Sequence, residues 1–367
     1  MGTKLISFLL LVFVFPVISL AGHTHSFRTE IVEKVKEATV FISISSLNNN
    51  SIEGNTGLCT GFIINDKGYI VTNYHCVHRA TKLILAFYDE DDWNVYDVKI
   101  IGVDPVADLA VIHIPKRKKP LPYLNWSTEK LKDGTHVMAI GHPYGMLWSV
   151  STGVISNTTR VIRSPYVRMI QSDVVLNQGN SGGPLVDSDG LVVGVNTMLF
   201  NPTPVKTYIG MSLSIRNDDA KMIVDELVQG KEFIRPILGL RLFDLTPTNR
   251  NSVLKLDDVK EKGIDIPNTF GTIVVPYPDL PEGIEGLDTI ISVDGEAVNR
   301  QVDIVEQIRA RHVGDKINLI IIRDKVFKNV TLTLKKLVVD PNVLYDKTPP
   351  QKPKTIPPKP KEENGAK

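Results

Sequence analysis

His75, Asp108 and Ser181 are the residues of this chain whose types and settings could do chemistry together. A serine hydroxyl is a poor nucleophile at neutral pH unless a base takes its proton as it attacks. Histidine has the right proton affinity for that, and a carboxylate must fix its tautomer and steady the imidazolium. Ser181 stands in Gly179-Asn-Ser-Gly-Gly-Pro184, His75 in Thr72-Asn-Tyr-His-Cys76, and Asp108 in Asp104-Pro-Val-Ala-Asp-Leu-Ala-Val111. A glycine-rich loop, one histidine or one turn aspartate carries nothing alone. All three, in this order and each beside an apolar run of strand type, point to acyl transfer through a serine nucleophile. The glycines let the backbone turn sharply, so that amides within Gly179, Asn180 and Ser181, those of Gly179 and Ser181 foremost, can face a developing oxyanion.

The only two cysteines are Cys59 and Cys76, the latter directly after the histidine. A bridge between them would staple the His75 loop and contribute about 3 kcal/mol; the alternative is two buried thiols behaving as small hydrophobes. Signs of export favour the bridge. Lys4 precedes an apolar run from Leu5 to Leu20, and Ser19-Leu-Ala21 offers small residues where a signal peptidase reads. Residues 1–21 therefore read as a cleaved leader, with an uncleaved membrane anchor as the rival reading. The 367 residues suggest two domains, 42 % apolar and 23 % charged residues are ordinary for a globular protein, and a net charge of +1 gives no support to a nucleic-acid partner. His23 and His25 lack a metalloenzyme motif, so neither a metal nor another cofactor is expected. The triplets starting at Asn49, Asn125, Asn157 and Asn329 match a glycosylation pattern that also arises by chance.

The elements that must position these residues are short. From Phe27 to about Phe200 apolar runs alternate with turn signals: Val40–Ile44, Gly61–Ile64, Tyr69–Thr72, Lys82–Phe87, Val98–Val103, Leu109–Ile114 and Leu191–Val195. Such spacing implies barrels or sandwiches, with the chemistry on loops between strands. Helices are expected at Glu30–Glu37 and Asn217–Gln229. A second unit, residues 234–338, should hold strands at Ile237–Leu242, Gly271–Val275, Thr289–Val293, Lys316–Arg323 and Lys328–Leu334, a helix at Val302–Arg311, and a tight turn at Asp294-Gly295. This reads as a small α+β module. Residues 339–367 are rich in proline and lysine and read as an extended, disordered tail.

Four stretches, Gly68-Tyr-Ile-Val-Thr-Asn-Tyr-His75, Asp104–Val111, Ala139-Ile-Gly-His-Pro-Tyr-Gly145 and Gln171–Leu185, closely resemble the HtrA/Deg family. Its members are trypsin-like serine proteases carrying PDZ domains and acting in protein quality control outside the cytoplasm. The resemblance implies a mainly β fold: a trypsin-like double six-stranded β-barrel protease domain over residues 27–229, then a small α+β PDZ-like domain over 234–338. It implies His75 as base, Asp108 as its orienter and Ser181 as nucleophile, with unfolded or misfolded polypeptides as substrates. It further implies a homotrimer or multiple of trimers, Phe27 lying in that contact, and an exported location, membrane-anchored if the leader stays.

In trypsin-like enzymes the residue six before the nucleophile sets the charge at the base of the S1 pocket; here it is Val175, against a lysine or arginine preference. By resemblance Leu176 lines the pocket, and Asn196, Thr197 and Met198 run along its side, favouring Val, Ala, Ile or Leu at the cleavage site. Asp173 sits eight before Ser181 and reads as structural. Arg235-Pro-Ile-Leu-Gly-Leu240 looks like a PDZ carboxylate loop, in which Ile237, Leu238, Gly239 and Leu240 would receive a hydrophobic peptide C-terminus. A purely structural module is the alternative there. His142 replaces the family's usual asparagine, Gln178 stands where proline or arginine is common, Glu285-Gly-Leu-Asp288 replaces a proline-glycine-aspartate turn, and the cysteine pair is unusual for the family. Asn157–Arg168 is expected to be a regulatory segment whose ordering sets the oxyanion hole. A chaperone or peptide-binding scaffold of low turnover is the second reading of the whole chain.

Overall fold

The structure is a computed structural model that describes residues 27–45, 57–78, 80, 82–88, 98–114, 120–162, 164–201, 208–255, 259 and 265–339. The expected leader, His23, His25, the Asn49 triplet and nearly all of the proline-rich tail lie outside the described residues.

Helix α1 (Thr29–Glu37) leads into a six-stranded antiparallel sheet made of β1 (Thr39–Ser45), β2 (Gly57–Ile63), β3 (Tyr69–Thr72), β4 (Lys82–Phe87), β5 (Lys99–Asp104) and β6 (Leu109–His113), in the order β4-β1-β2-β3-β6-β5. Helix α2 (Tyr74–Val77) is a single turn after β3. A closed six-stranded barrel follows, built from β7 (His136–Gly141), β8 (Ser149–Arg160), β9 (Met169–Ser172), β10 (Pro184–Val186), β11 (Val192–Leu199) and β12 (Ser212–Arg216). Helix α3 (Asn217–Val228) begins where β12 ends, with Asp218 and Asp219 in its first turn, where the helix dipole favours negative charge.

Each sheet fills its own interior with β-branched and aliphatic side chains. Val40, Ile42, Ile63, Ile70, Leu85 and Ile112 pack inside the first. Val137, Ile155, Ile170, Leu185 and Val193 do so inside the second. A third cluster lies between them, where Phe62, Val71 and Leu109 meet Met138, Ile140, Val195 and Ile215, closed by Ile223 and Leu227 of α3. Each such side chain contributes about 1.5–3 kcal/mol on burial. The seam between the two sheets is thus as solid as their interiors.

The C-terminal part holds β13 (Pro236–Ile237), β14 (Leu242–Leu245), β15 (Gly271–Val274), β16 (Thr289–Val293), β17 (Glu296–Ala297), β18 (Lys316–Arg323), β19 (Val326–Thr333) and β20 (Lys335–Lys336). A five-strand path runs β14-β15-β16-β18-β19, leaving β14 at an edge, while β13 pairs with β20. The helix Gln301–Ile308 packs Ile304 and Ile308 against Leu238, Val274, Ile290 and Leu319. The tight turn falls at Asp294 (φ 46°) and Gly295 (φ 89°), joining β16 to β17. One expected strand, Ile237–Leu242, is instead two: Gly239 adopts φ +71°, which breaks the extended run between β13 and β14. Among the described residues no helix is long and apolar enough to cross a membrane.

A charged joint ties this part to the barrel. Asp219, 1 % exposed, receives the Arg168 backbone N–H at 2.8 Å and the Arg168 guanidinium at 2.5 Å, and also contacts the Arg309 guanidinium, just beyond the helix Gln301–Ile308. Arg168 lies 3.6 Å from Glu306 on that same helix. Nearby, Arg235 forms a buried ion pair with Asp104 at 2.6 Å. Removing the carboxylate of Asp219 strands two partly buried guanidinium groups. Asp219→Ala should therefore cost about 3 kcal/mol, near the low end for breaking a buried pair. Scanning calorimetry checks this, a midpoint within 1 °C of the parent (about the scatter expected of a neutral surface change) counting against it.

Candidate active site

Asp108 opens the site from the start of β6. It is 3 % exposed and holds φ 59°, a left-handed conformation that costs a non-glycine residue about 1 kcal/mol or more. The surroundings enforce it: the Asp108 carbonyl accepts from the Tyr74 N–H at 3.1 Å and from Asn73 Nδ2 at 2.8 Å. In return the carboxylate meets His75 twice, accepting its backbone N–H at 2.9 Å on Oδ1 and lying 2.8 Å from Nδ1 on Oδ2. A carboxylate oxygen accepts at Nδ1, so Nδ1 carries the proton and Nε2 is left as a base.

Ser181 comes from the closed barrel, in the loop before β10. His75 and Ser181 line one cavity of about 580 Å³, together with Leu176, Gln178, Gly179, Asn180, Thr197 and Met198. The Ser181 hydroxyl donates to the Thr197 carbonyl at 3.3 Å in this resting arrangement. Among the described residues neither the Gly179 nor the Ser181 N–H donates to a backbone carbonyl, whereas the Asn180 N–H is engaged by the Asn177 carbonyl at 3.0 Å. Gly182 has φ +83°, and a Cβ there would lie 2.3 Å from both the Thr60 carbonyl and Thr72 Oγ1. Only glycine fits at that close approach.

The cysteines form a bridge, with Cα atoms 6.1 Å apart and both residues buried. His75 and the two sulfurs lie within 4.8 Å of one another. Both sulfurs are bonded to each other, so they offer no thiolates to a metal. Cys76 Sγ also sits 3.8 Å from the Ser181 carbonyl.

The pocket residues divide. Leu176, Thr197 and Met198 line the cavity, with Leu199 beside them. Val175 does not line it and is 43 % exposed. Asn196 is fully buried below it, donating to the Pro184 carbonyl at 3.1 Å and accepting from Ser214 at 2.9 Å. Asp173 caps the Val154 N–H at 2.6 Å, a structural role. Leu238 is buried in the C-terminal core, and the Gly239 carbonyl accepts from the Tyr277 hydroxyl. Ile237 belongs to β13, and Leu240 is half-buried just before β14.

Residues 59–195 match the trypsin-like peptidase domain. The chain is 31 % identical over 334 residues to serine protease HTRA1 of Xenopus tropicalis, covering 86 % of this chain and 68 % of that protein. The chain belongs to the HtrA/Deg family. A probable periplasmic serine endoprotease, DegP-like, of Brucella suis biovar 1 (strain 1330) is 31 % identical over 280 residues, 75 % of this chain and 52 % of that protein. The chain thus spans about half the length of such DegP-like relatives. Among solved structures, the HtrA-type protease AlgW with decapeptide superposes with a TM-score of 0.69 at 25 % identity, covering 85 % of this chain and 99 % of that one. The curled sheet, closed barrel and PDZ-like C-terminal part are those of an HtrA/Deg-family protein.

His142 is a residue of this HtrA/Deg site whose environment sequence reasoning missed. It is fully buried beneath the oxyanion loop, and burial pushes its pKa down to about 3. An unfolded chain would bind that proton near pH 6.5. Between those values the unfolded state holds a proton that the folded state refuses. Stability contributed by the neutral ring is complete above about pH 6.5 and falls as pH drops, by up to about 1.4 kcal/mol per pH unit. Thermal melts from pH 7 to pH 4 should accordingly fall more steeply for the parent than for His142→Phe. Parallel curves would contradict the assignment.

Proposed function

We propose that this protein is a serine endopeptidase that hydrolyses peptide bonds of unfolded or misfolded exported polypeptides through an acyl-enzyme. The observation that carries this reading is the Asp108-oriented His75 facing Ser181 across a single cavity, with the Gly179 and Ser181 amides unengaged beside it. The Ser181 hydroxyl turns from the Thr197 carbonyl toward His75 Nε2, gives up its proton there and attacks the scissile carbonyl. The oxyanion that forms accepts from the Gly179 and Ser181 amides. His75 then protonates the leaving amine, and water repeats the sequence on the ester with His75 again as base.

The reading extends to substrate choice. Leu176, Met198 and Leu199 give the pocket aliphatic walls without a carboxylate, which suits a small aliphatic residue before the scissile bond. Residues 27–229 act as the protease unit and 234–338 as a PDZ-like unit. There the free edge of β14, beside the helix Gln301–Ile308, takes a hydrophobic peptide C-terminus as an added strand. Assembly as a homotrimer or multiple of trimers follows the family. Export, as the periplasmic names of relatives suggest, agrees with the Cys59–Cys76 bridge. The segment 157–168 ends at Arg168, which touches Asp219 and Glu306, so it is placed to report on the C-terminal unit.

A chaperone or peptide scaffold of low turnover is the second reading, favoured by the resting bond from the Ser181 hydroxyl to Thr197. Oxidised protein lacking residues 1–21 separates the two on casein. Cleavage should vanish in Ser181→Ala and fall about 10⁴-fold in kcat in Asp108→Asn, where the histidine takes the wrong tautomer. Products should end in small aliphatic residues. Casein left whole by the parent, or cut equally by Ser181→Ala, defeats the protease reading.

A further inference from the structure

Thr60 lies one residue after Cys59, in β2 of the first sheet, yet it contacts the nucleophile loop of the closed barrel. Its N–H donates to the Ser181 carbonyl at 2.9 Å, and its hydroxyl donates to the Gly179 carbonyl at 2.7 Å. A carbonyl can only accept, so the second contact takes the single hydroxyl proton. His142 Nδ1 lies 2.9 Å from the same hydroxyl oxygen. That contact therefore has His142 donating Nδ1–H to Thr60, which fixes the tautomer. His142 Nε2 is then a bare acceptor, buried without a partner, in a ring set edge-on to Phe41 and Trp148 at 5.1 and 5.2 Å. Protonating it would place an unpaired charge among aromatic rings, so the ring stays a neutral donor at every pH where a serine protease works.

The preceding carbonyl is anchored as well. Gln178 accepts from the Tyr144 N–H at 2.8 Å, in a turn where Tyr144 holds φ 51°. In a trans peptide the Gly179 N–H points opposite to the Gln178 carbonyl, away from Tyr144. The next peptide plane is fixed by the Thr60 hydroxyl. Gly179 itself has φ +110°, and a Cβ there would fall 2.2 Å from the His142 carbonyl. The same residue, His142, thus packs its backbone against Gly179 and orients the hydroxyl that holds Gly179.

We propose that Thr60 and His142 form a positioning pair for the oxyanion hole: the His142 Nδ1–H orients the Thr60 hydroxyl, and that hydroxyl locks the peptide plane after Gly179. Neither residue touches substrate. The inference rests on the serine-endopeptidase reading above, and it makes the hole formed at rest by contacts within one chain.

The test compares the parent with Thr60→Val, Thr60→Ser and His142→Phe on one fluorogenic peptide carrying a small aliphatic residue at the scissile bond. Inhibition by the matching peptide aldehyde is measured against the peptide alcohol. On the aldehyde, Ser181 Oγ bonds to the carbonyl carbon, the carbonyl becomes an alkoxide and the serine proton passes to His75; the alcohol forms no such adduct. Losing one oxyanion donor outright costs about 10²–10³ in kcat, so Thr60→Val, which keeps the donors but frees them, should lose about 10–100-fold. Its KM should stay within about 2-fold, because ground-state binding is untouched. Aldehyde affinity should fall by the same factor as kcat, alcohol affinity should hold, and Thr60→Ser should restore both. His142→Phe should show the same pattern with a smaller loss, and it carries the comparison if Thr60→Val does not fold. Parental kcat in both Thr60→Val and His142→Phe overturns the proposal. So does an equal loss of aldehyde and alcohol affinity, or a Thr60→Ser as impaired as Thr60→Val. A parent that neither cuts the peptide nor binds the aldehyde overturns the protease reading, and this inference with it.

Discussion

Everything in this site depends on how closely the backbones of the first sheet and the closed barrel approach at the seam. Ser181 belongs to the loop before β10, whereas His75 and Asp108 sit beside strands of the first sheet. Their relative position is set by the Thr60 N–H to Ser181 carbonyl bond at 2.9 Å and by the Thr60 hydroxyl to Gly179 carbonyl bond at 2.7 Å. Gly182 and Gly183 are there because nothing larger fits. A Cβ at Gly183 would lie 2.9 Å from the Ile140 carbonyl and from Thr60 Cγ2. The Gly-Gly of the motif is therefore a statement about the distance between the sheet and the barrel at least as much as about a flexible turn.

Asp108 shows the same economy of placement on the other side. A left-handed aspartate is unfavourable by itself, and it persists because Asn73, Tyr74 and His75 over-determine it. Asn73 Nδ2 also reaches Thr197 Oγ1 at 3.2 Å, which links the carboxylate's support to the residue whose carbonyl holds the resting serine. The Ser181 hydroxyl thus rests on the Thr197 carbonyl. Leaving that position is a rotamer change, which in exposed side chains takes picoseconds to nanoseconds and so need not limit turnover. What the chemistry needs to be rigid is the backbone, and the backbone is where most of the hydrogen bonds lie.

Much of this was legible in the sequence because the chemistry imposes residue types. His75 contacts Asp108 and lines one cavity with Ser181, and the strands at Tyr69–Thr72, Lys82–Phe87, Thr289–Val293 and Lys316–Arg323 fall where the apolar runs lie. Less legible were strands without a continuous apolar run. β8 carries polar residues such as Ser151, Thr152, Asn157 and Thr158 over twelve positions, because one of its faces is largely exposed. The ion-pair joint at Asp219 left no local signal, since its partners Arg168 and Arg309 are distant in sequence and ordinary in type. Thr60 was invisible for a related reason: a threonine in a strand is unremarkable until the carbonyl it faces is known. His142 was noticed only as a departure from the family's asparagine, and its meaning came from the hydroxyl it meets.

The Cys59–Cys76 bridge gains its sense from its neighbours. Cys59 precedes Thr60 and Cys76 follows His75, so the bridge ties the strand that carries Thr60 to the helical turn that carries His75. A bridge between two buried half-cystines constrains the unfolded chain, which accounts for its part in stability. Its placement does something that a bridge elsewhere in the domain would not. His75 and Thr60 lie on separate pieces of backbone, α2 and β2, that are otherwise joined through the β2–β3 hairpin and its turn. Short covalent distance between them means that any small shift of β2 carries α2 along. Relative displacement of His75 and Thr60 is the motion the bridge suppresses, and in an active site a misplacement of about 1 Å can cost about 100-fold in rate.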